Sequence, residues 1–195
     1  MTELADPRAD LERVGFTVLR AATPRPAVDA ALRLLGLAVR REGLSAEQIA
    51  QWQSGTFFPH LRWEPAVWDV LPEVAAELLG WQQGDDWAEP QILLRYPDEE
   101  QDWPVEPHVD SLPPWATGSV YKGIVGVALT AAGERDGAAC VWPGSHRGRA
   151  GSPVHVPLAA GDALVMHPLL GHAGTLNHGP TVRTAVYFRL VTQAI

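Results

Sequence analysis

The chain has 195 residues, 46% hydrophobic and 19% charged, enough for one domain with a substantial core and too few for two ordinary ones. With 15 Lys and Arg against 23 Asp and Glu the net charge is −8, so no concentrated basic face is available for nucleic acid. The single cysteine, Cys140, excludes an internal disulfide and suits a reducing compartment, and its apolar run Ala138-Ala139-Cys140-Val141-Trp142 reads as core.

The start, Met1-Thr2-Glu3-Leu4-Ala5-Asp6-Pro7, carries acid and no apolar h-region, so no secretory signal is read there. Val14-Gly15-Phe16-Thr17-Val18-Leu19-Arg20 follows as a strand, rich in β-branched residues and bounded by turn formers. Thr23-Pro24 then opens a helix, with Thr23 placed to cap it and Val28, Ala31, Leu32, Leu35 and Val39 forming one apolar stripe. Ser45-Ala46-Glu47-Gln48 has the pattern of a capping box opening a short second helix. Glu64 to Leu79 reads as a third helix, kinked at Pro72 and ending at Gly80.

From Gln91 onward the texture changes. Short β-rich runs at 91–96, 108–110, 119–130, 138–142, 153–156, 163–167 and 181–192 alternate with Gly, Pro and Asp. Strands after a helical front end argue for a β-sandwich or barrel braced by helices, not a βαβ fold. The longest nearly apolar stretch, Gly123 to Gly133, is far below the roughly 20 residues a membrane helix needs. A soluble, cytoplasmic protein without membrane or nucleic-acid partners is expected, organised as one domain over 1–195 with a front end at 1–90 and a β core at 91–193.

Of 7 histidines, His146, His155, His167, His172 and His178 lie in the β-rich half beyond residue 140. His108-Val109-Asp110 is the first chemical signal: on a strand, residues i and i+2 share a face, so imidazole and carboxylate would project together. That supplies two of three ligands for a 2-His-1-carboxylate iron site, which keeps three positions open. His-x-Asp alone arises easily by chance. The second signal is Gly161-Asp162, the strand Ala163-Leu164-Val165-Met166-His167, and then Gly171-His172-Ala173-Gly174. A barrel could bring His172 beside His108 and Asp110, with Arg183 pointing inward one strand over. An inward arginine in a β core is costly unless it meets an anion, and a bound dicarboxylate would answer that need.

These residues resemble the phytanoyl-CoA dioxygenase family of Fe(II)/2-oxoglutarate-dependent oxygenases. The resemblance runs through Gly15-Phe16-Thr17-Val18-Leu19, His108-Val109-Asp110, Asp136-Gly137 and Trp142-Pro143-Gly144-Ser145-His146. It continues through Gly161-Asp162 and His172-Ala173-Gly174-Thr175-Leu176-Asn177 to Arg183. It implies a double-stranded β-helix (a jelly roll, as in cupins) with helices packed outside. It also implies Fe(II) bound by His108, Asp110 and His172, 2-oxoglutarate anchored by Arg183 with help from Thr184, and O2 as oxidant. The implied reaction is oxidation of a small molecule, by hydroxylation, with release of succinate and CO2. Asp110 argues against a halogenase, where Gly or Ala at this place would open a halide site. No feature points to a CoA site.

His167 is the rival for the third ligand, but His172 has the spacing to Arg183 that the family shows. His146 reads as a structural turn residue. Trp103, Trp115, Tyr121 and Lys122 flank the His-x-Asp segment and are candidates for the substrate mouth, with Asn177 a further candidate. The acidic run Asp98-Glu99-Glu100-Gln101-Asp102 reads either as a solvated loop or as a lid favouring a cationic substrate. Two other classes are weighed: a cupin-type metalloenzyme independent of 2-oxoglutarate, and a catalytically silent binding barrel. Arg183 discriminates against the first and the convergent triad against the second.

Overall fold

The computed structural model describes residues 6–41, 65–88, 90–97, 106–110 and 119–193. Asp6 caps the first helix, α1 (Pro7–Val14), by accepting the amides of Arg8 and Ala9 at 3.0 and 3.2 Å, and Pro7 fills the first turn. Sequence reasoning had no helix here, because eight residues with one buried leucine show no apolar period. Strand β1 (Phe16–Leu19) and helix α2 (Arg25–Arg41) follow as expected, with Val28, Ala31 and Leu35 buried. Thr23 does not cap α2, since its buried Oγ1 has no hydrogen-bond partner. The Ser45 capping box lies outside the described residues.

The expected kinked helix is two helices, α3 (Pro65–Trp68) and α4 (Val70–Glu77). Pro72 has no N–H for the Trp68 carbonyl and its ring crowds that oxygen, so the break falls one turn ahead of the proline. Gly80 ends α4 at φ +63°, and the Trp81 amide closes on the Ala75 carbonyl at 2.8 Å.

Two antiparallel sheets form the β core. The larger has the order β1, β7 (Ala163–Met166), β4 (Ser119–Ala128), β9 (Arg183–Gln193), β2 (Asp85–Trp87), with β3 (Gln91–Arg95) also paired to β9. The smaller has β5 (Ala139–Val141) between β6 (Val154–Val156) and β8 (His172–Gly174). Its row continues at His108, which exchanges both backbone hydrogen bonds with His172 at 2.9 Å. Strands β2 and β8, three residues each, were too short for the apolar pattern to reveal.

Alternation along β4 and β9 divides the core. Val125, Val127, Val186, Phe188 and Leu190 pack outward against α2, α3 and α4, with Trp68 tilted on Phe188 at 4.6 Å. Ile124, Ala128, Leu164 and Met166 face the smaller sheet and meet Val141, Val156 and Leu170. Apolar filling between the sheets gives way to a polar cavity at the β8 and His108 end.

The Gly161-Asp162 turn latches β1 to this sandwich. Gly161 has φ +95°, and a Cβ there would sit 2.5 Å from the Thr23 carbonyl oxygen. Asp162 accepts the Ala21 and Ala159 amides, each at 2.9 Å, and Arg20 at 2.6 Å. It thereby holds Ala21 at φ +51°, a region unfavourable for alanine. Burial alone would raise the Asp162 carboxyl, but the two amides and the guanidinium outweigh it and hold it below its ordinary value. Replacing Asp162 by Ala is therefore expected to cost about 3 kcal/mol at neutral pH. Because the folded value is depressed, that stabilisation is present above the ordinary carboxylate range and is lost as pH falls through the folded value, below about 4. Denaturant unfolding of both proteins across a pH series checks this, and a gap that does not shrink in acid would exclude the carboxylate's charge as its source.

Candidate active site

Three connections converge on the strand that carries His172. It pairs with Val141 on one side and His108 on the other. Immediately before it, Gly171 donates its amide to Ser145 Oγ at 2.8 Å and accepts the Trp142 amide at 2.9 Å. The Trp142-Pro143-Gly144-Ser145-His146 turn is thus a brace for the histidine strand. His146 Nε2 meets the Glu12 carbonyl at 3.1 Å, fastening α1 to the same turn, which bears out its structural reading.

The His172 Nδ1 lies 2.9 Å from the Leu170 carbonyl, so Nδ1 carries the proton and Nε2 presents a lone pair. Nε2 is 3.6 Å from Asp110 Oδ1, and His108 Nε2 is 3.7 Å from the same oxygen. One ligand atom from each of the three residues lies within 4.8 Å of the others. Burial and the neighbouring His172 hold His108 below the ordinary imidazole value despite Asp110, which keeps it in the neutral, metal-binding form. Two imidazole nitrogens and one carboxylate oxygen at this spacing are a donor set that fits a divalent transition metal and leaves one side open.

The open side is a cavity of about 180 Å³ that also takes in Gln91, Arg95, Arg183, Tyr187 and Arg189. Arg183 is only 2% exposed, and its one hydrogen bond among the described residues is to the Tyr187 hydroxyl at 3.0 Å. A buried guanidinium with a single neutral acceptor is poised for an anion. It reaches the cavity from the larger sheet, across from β8 rather than from a neighbouring strand. Arg95 is its direct cross-strand partner, and burial together with Arg183 pulls the Arg95 guanidinium down from its ordinary value. The Arg95 guanidinium lies against Gly174, where a Cβ would require it to shift.

Other expected site residues lie elsewhere. Thr184 faces away from the cavity, as strand alternation from Arg183 requires, and its amide donates to Thr130 Oγ1 at 2.7 Å. Lys122 is not at the mouth: it bonds Asp85 at 2.7 Å and the Gly80 carbonyl at 2.9 Å, beside an irregularity in the β4–β9 register. Asn177 is 1% exposed and outside the cavity lining, donating to the Arg95 and Thr181 carbonyls and accepting the Gly179 amide, so it holds backbone and not a substrate. Tyr121 is the register partner of Val191, two residues beyond Arg189, outside the cavity lining. Trp103 and Trp115 lie outside the described residues. His167 accepts the Leu169 amide and stacks near His146 at 4.9 Å, apart from the triad.

Sequence reasoning missed Gln91, Arg95, Tyr187 and Arg189. A signal was present on β9, where 183, 187 and 189 share one face, and on β3, where Arg95 sits opposite Arg183.

Comparisons with known proteins bear on the fold and the family. EvdO2 from Micromonospora carbonacea var. aurantiaca, complexed with 2-oxoglutarate, superposes with a TM-score of 0.75 at 18% identity, covering 98% of this chain and 92% of that one. The non-heme alpha ketoglutarate dependent carbocyclase SnoK from nogalamycin biosynthesis gives 0.72 at 17% identity, over 96% and 83% of the two chains. The epimerase SnoN from the same biosynthesis gives 0.71 at 19%, over 96% and 80%. These likenesses establish the jelly-roll fold. No curated protein sequence matches the chain. The model of the phytanoyl-CoA dioxygenase family matches residues 11–185. The chain belongs to that family, whose members are non-haem oxygenases using Fe(II), 2-oxoglutarate and O2.

Proposed function

We propose that the protein hydroxylates a small molecule, with His108, Asp110 and His172 as iron ligands and Arg183 as the anchor for the distal carboxylate of 2-oxoglutarate. The observation that carries this reading is one cavity holding both the converging triad and the buried Arg183. When bound, Fe(II) with 2-oxoglutarate and O2 supplies the oxidising power, and succinate and CO2 are released.

The chain's residues do the positioning. The Leu170 carbonyl fixes the His172 tautomer so that Nε2 is available without rearrangement. Arg183 offers a planar fork of donors to a carboxylate and gains an anionic partner that its burial otherwise denies it. Met166 and Ala139 give the cavity an apolar wall, backed by Ile124 and Leu164 between the sheets. Among the described residues no helix is long and apolar enough to cross a membrane. The single cysteine, Cys140, is free and buried, which fits the reducing cytoplasm.

SnoK and SnoN, a carbocyclase and an epimerase, have the same fold, so product mass is the discriminating measurement. Anaerobic addition of Fe(II) and then 2-oxoglutarate to metal-free protein is expected to give a saturable visible charge-transfer band. Screening substrates for succinate release and a product one oxygen heavier then tests hydroxylation. A product lighter by two hydrogens, or of unchanged mass, would replace it with ring closure, desaturation or epimerisation. Confirmed iron binding without any band would move the assignment to a metalloenzyme independent of 2-oxoglutarate.

A further inference from the structure

We infer that Arg189 is a positioning residue that divides the Asp110 carboxylate, holding one oxygen and leaving the other for the metal. This rests on the iron-ligand reading above. The guanidinium approaches Asp110 Oδ2 twice, from Nε at 2.7 Å and from Nη2 at 2.6 Å. The opposite oxygen, Oδ1, is the one that faces both imidazoles at 3.6 and 3.7 Å.

The clamp is itself anchored. Arg189 Nη2 donates to Gln91 Oε1 at 2.7 Å, and Gln91 is the cross-strand partner of Tyr187, so it stands on the same face two residues from Arg189. Asp110 needs such a hold because, among the described residues, its segment pairs with the sheet only at the isolated His108–His172 bridge. A guanidinium keeps its charge at every working pH and cannot itself bind metal, so it serves as a permanent restraint.

The consequence is a count of coordination positions. A facial site offers three to cosubstrate and oxygen only while its carboxylate gives a single oxygen. If Asp110 turned freely, both oxygens could reach the metal and one position would be lost. Arg189 prevents that turn, and its charge-assisted bonds draw electron density from the carboxylate. A merely structural ion pair would stabilise the fold without altering the metal's surroundings.

Co(II), added to the metal-free protein in place of Fe(II), separates these roles because its visible absorption reports coordination. Arg189→Met is expected to bind Co(II) with an altered absorption spectrum and to bind 2-oxoglutarate about ten-fold or more weakly, with Arg183 untouched. Arg189→Lys keeps one donor to Oδ2 and is expected to fall between this variant and wild type. Gln91→Leu loosens only the rear tether and is expected to shift both readouts in the same direction by less. Wild-type absorption and unchanged 2-oxoglutarate affinity in Arg189→Met would overturn the inference. If that variant fails to fold, unchanged values in both Arg189→Lys and Gln91→Leu would overturn it equally. A wild-type protein that takes up no Co(II) would overturn the metal assignment, and this role with it.

Discussion

His172→Ala and Asp110→Ala are each expected to abolish Fe(II) binding and turnover. Among the described residues the candidate site brings together three ligand atoms, from two places in the chain that pair at the His108–His172 bridge. Loss of a group that merely orients a ligand already costs roughly 10–100-fold in metal affinity or activity, and loss of a ligand costs more. The two variants should differ in stability. His172 is held chiefly by backbone pairing and the Ser145 brace, so its strand survives truncation of the ring. Asp110→Ala removes the carboxylate from Arg189, whose side chain is 19% exposed, and leaves it, among the described residues, the Gln91 amide oxygen. That partly buried cation should cost about 3 kcal/mol of folding stability. His167→Ala is the informative control, since His167 stacks on His146 and does not reach the triad. Iron titration, circular dichroism and succinate release on the four proteins check this. Normal iron uptake by either ligand variant would remove that residue from the set, and loss of iron in His167→Ala would restore it as a rival.

What was legible in the sequence follows the range of its signals. The three residues were legible because His-x-Asp and the His172 to Arg183 spacing are local patterns with chemical content. The structure brings them together at the isolated His108–His172 bridge and not along the strand expected over 108–110. The long strands β4 and β9 were visible for the same reason, since ten or eleven residues are enough to show alternation. Helix α1 and strands β2 and β8 were not, because three to eight residues carry too little period to read. The break before Pro72 depends on a carbonyl four residues back, so the proline marks the cause and not the position. Thr184, Lys122 and Asn177 were placed near the site by proximity along the chain. Strand phase, a register irregularity and backbone saturation take them elsewhere. Arg189, Arg95 and Gln91 are the converse case. Arg189 shares the inward face of β9 with Arg183 and could have been read from strand phase, whereas Arg95 and Gln91 are placed by the β3–β9 register, which cannot be read from either segment alone.

Arg183→Ala is expected to leave Fe(II) binding intact while weakening 2-oxoglutarate binding by about 100-fold, because truncating one member of a buried charge pair costs about 3 kcal/mol. The residue is placed for that effect. It is 2% exposed, and its one side-chain hydrogen bond among the described residues goes to Tyr187. Arg183→Lys should recover part of the affinity and not all, since an ammonium supplies charge without the planar two-donor fork. Arg95 makes the experiment decisive, because it faces Arg183 across the β3–β9 pair and lines the same cavity. The measurement is a titration of the charge-transfer band with 2-oxoglutarate in iron-loaded Arg183→Ala, Arg183→Lys and Arg95→Ala proteins. A large loss in Arg183→Ala and a smaller one in Arg95→Ala would make Arg183 the anchor. The reverse order would give the distal carboxylate to Arg95. In that case Arg183, buried beside Tyr187, would face the substrate end of the cavity, and the search would turn to substrates bearing a carboxylate or phosphate of their own.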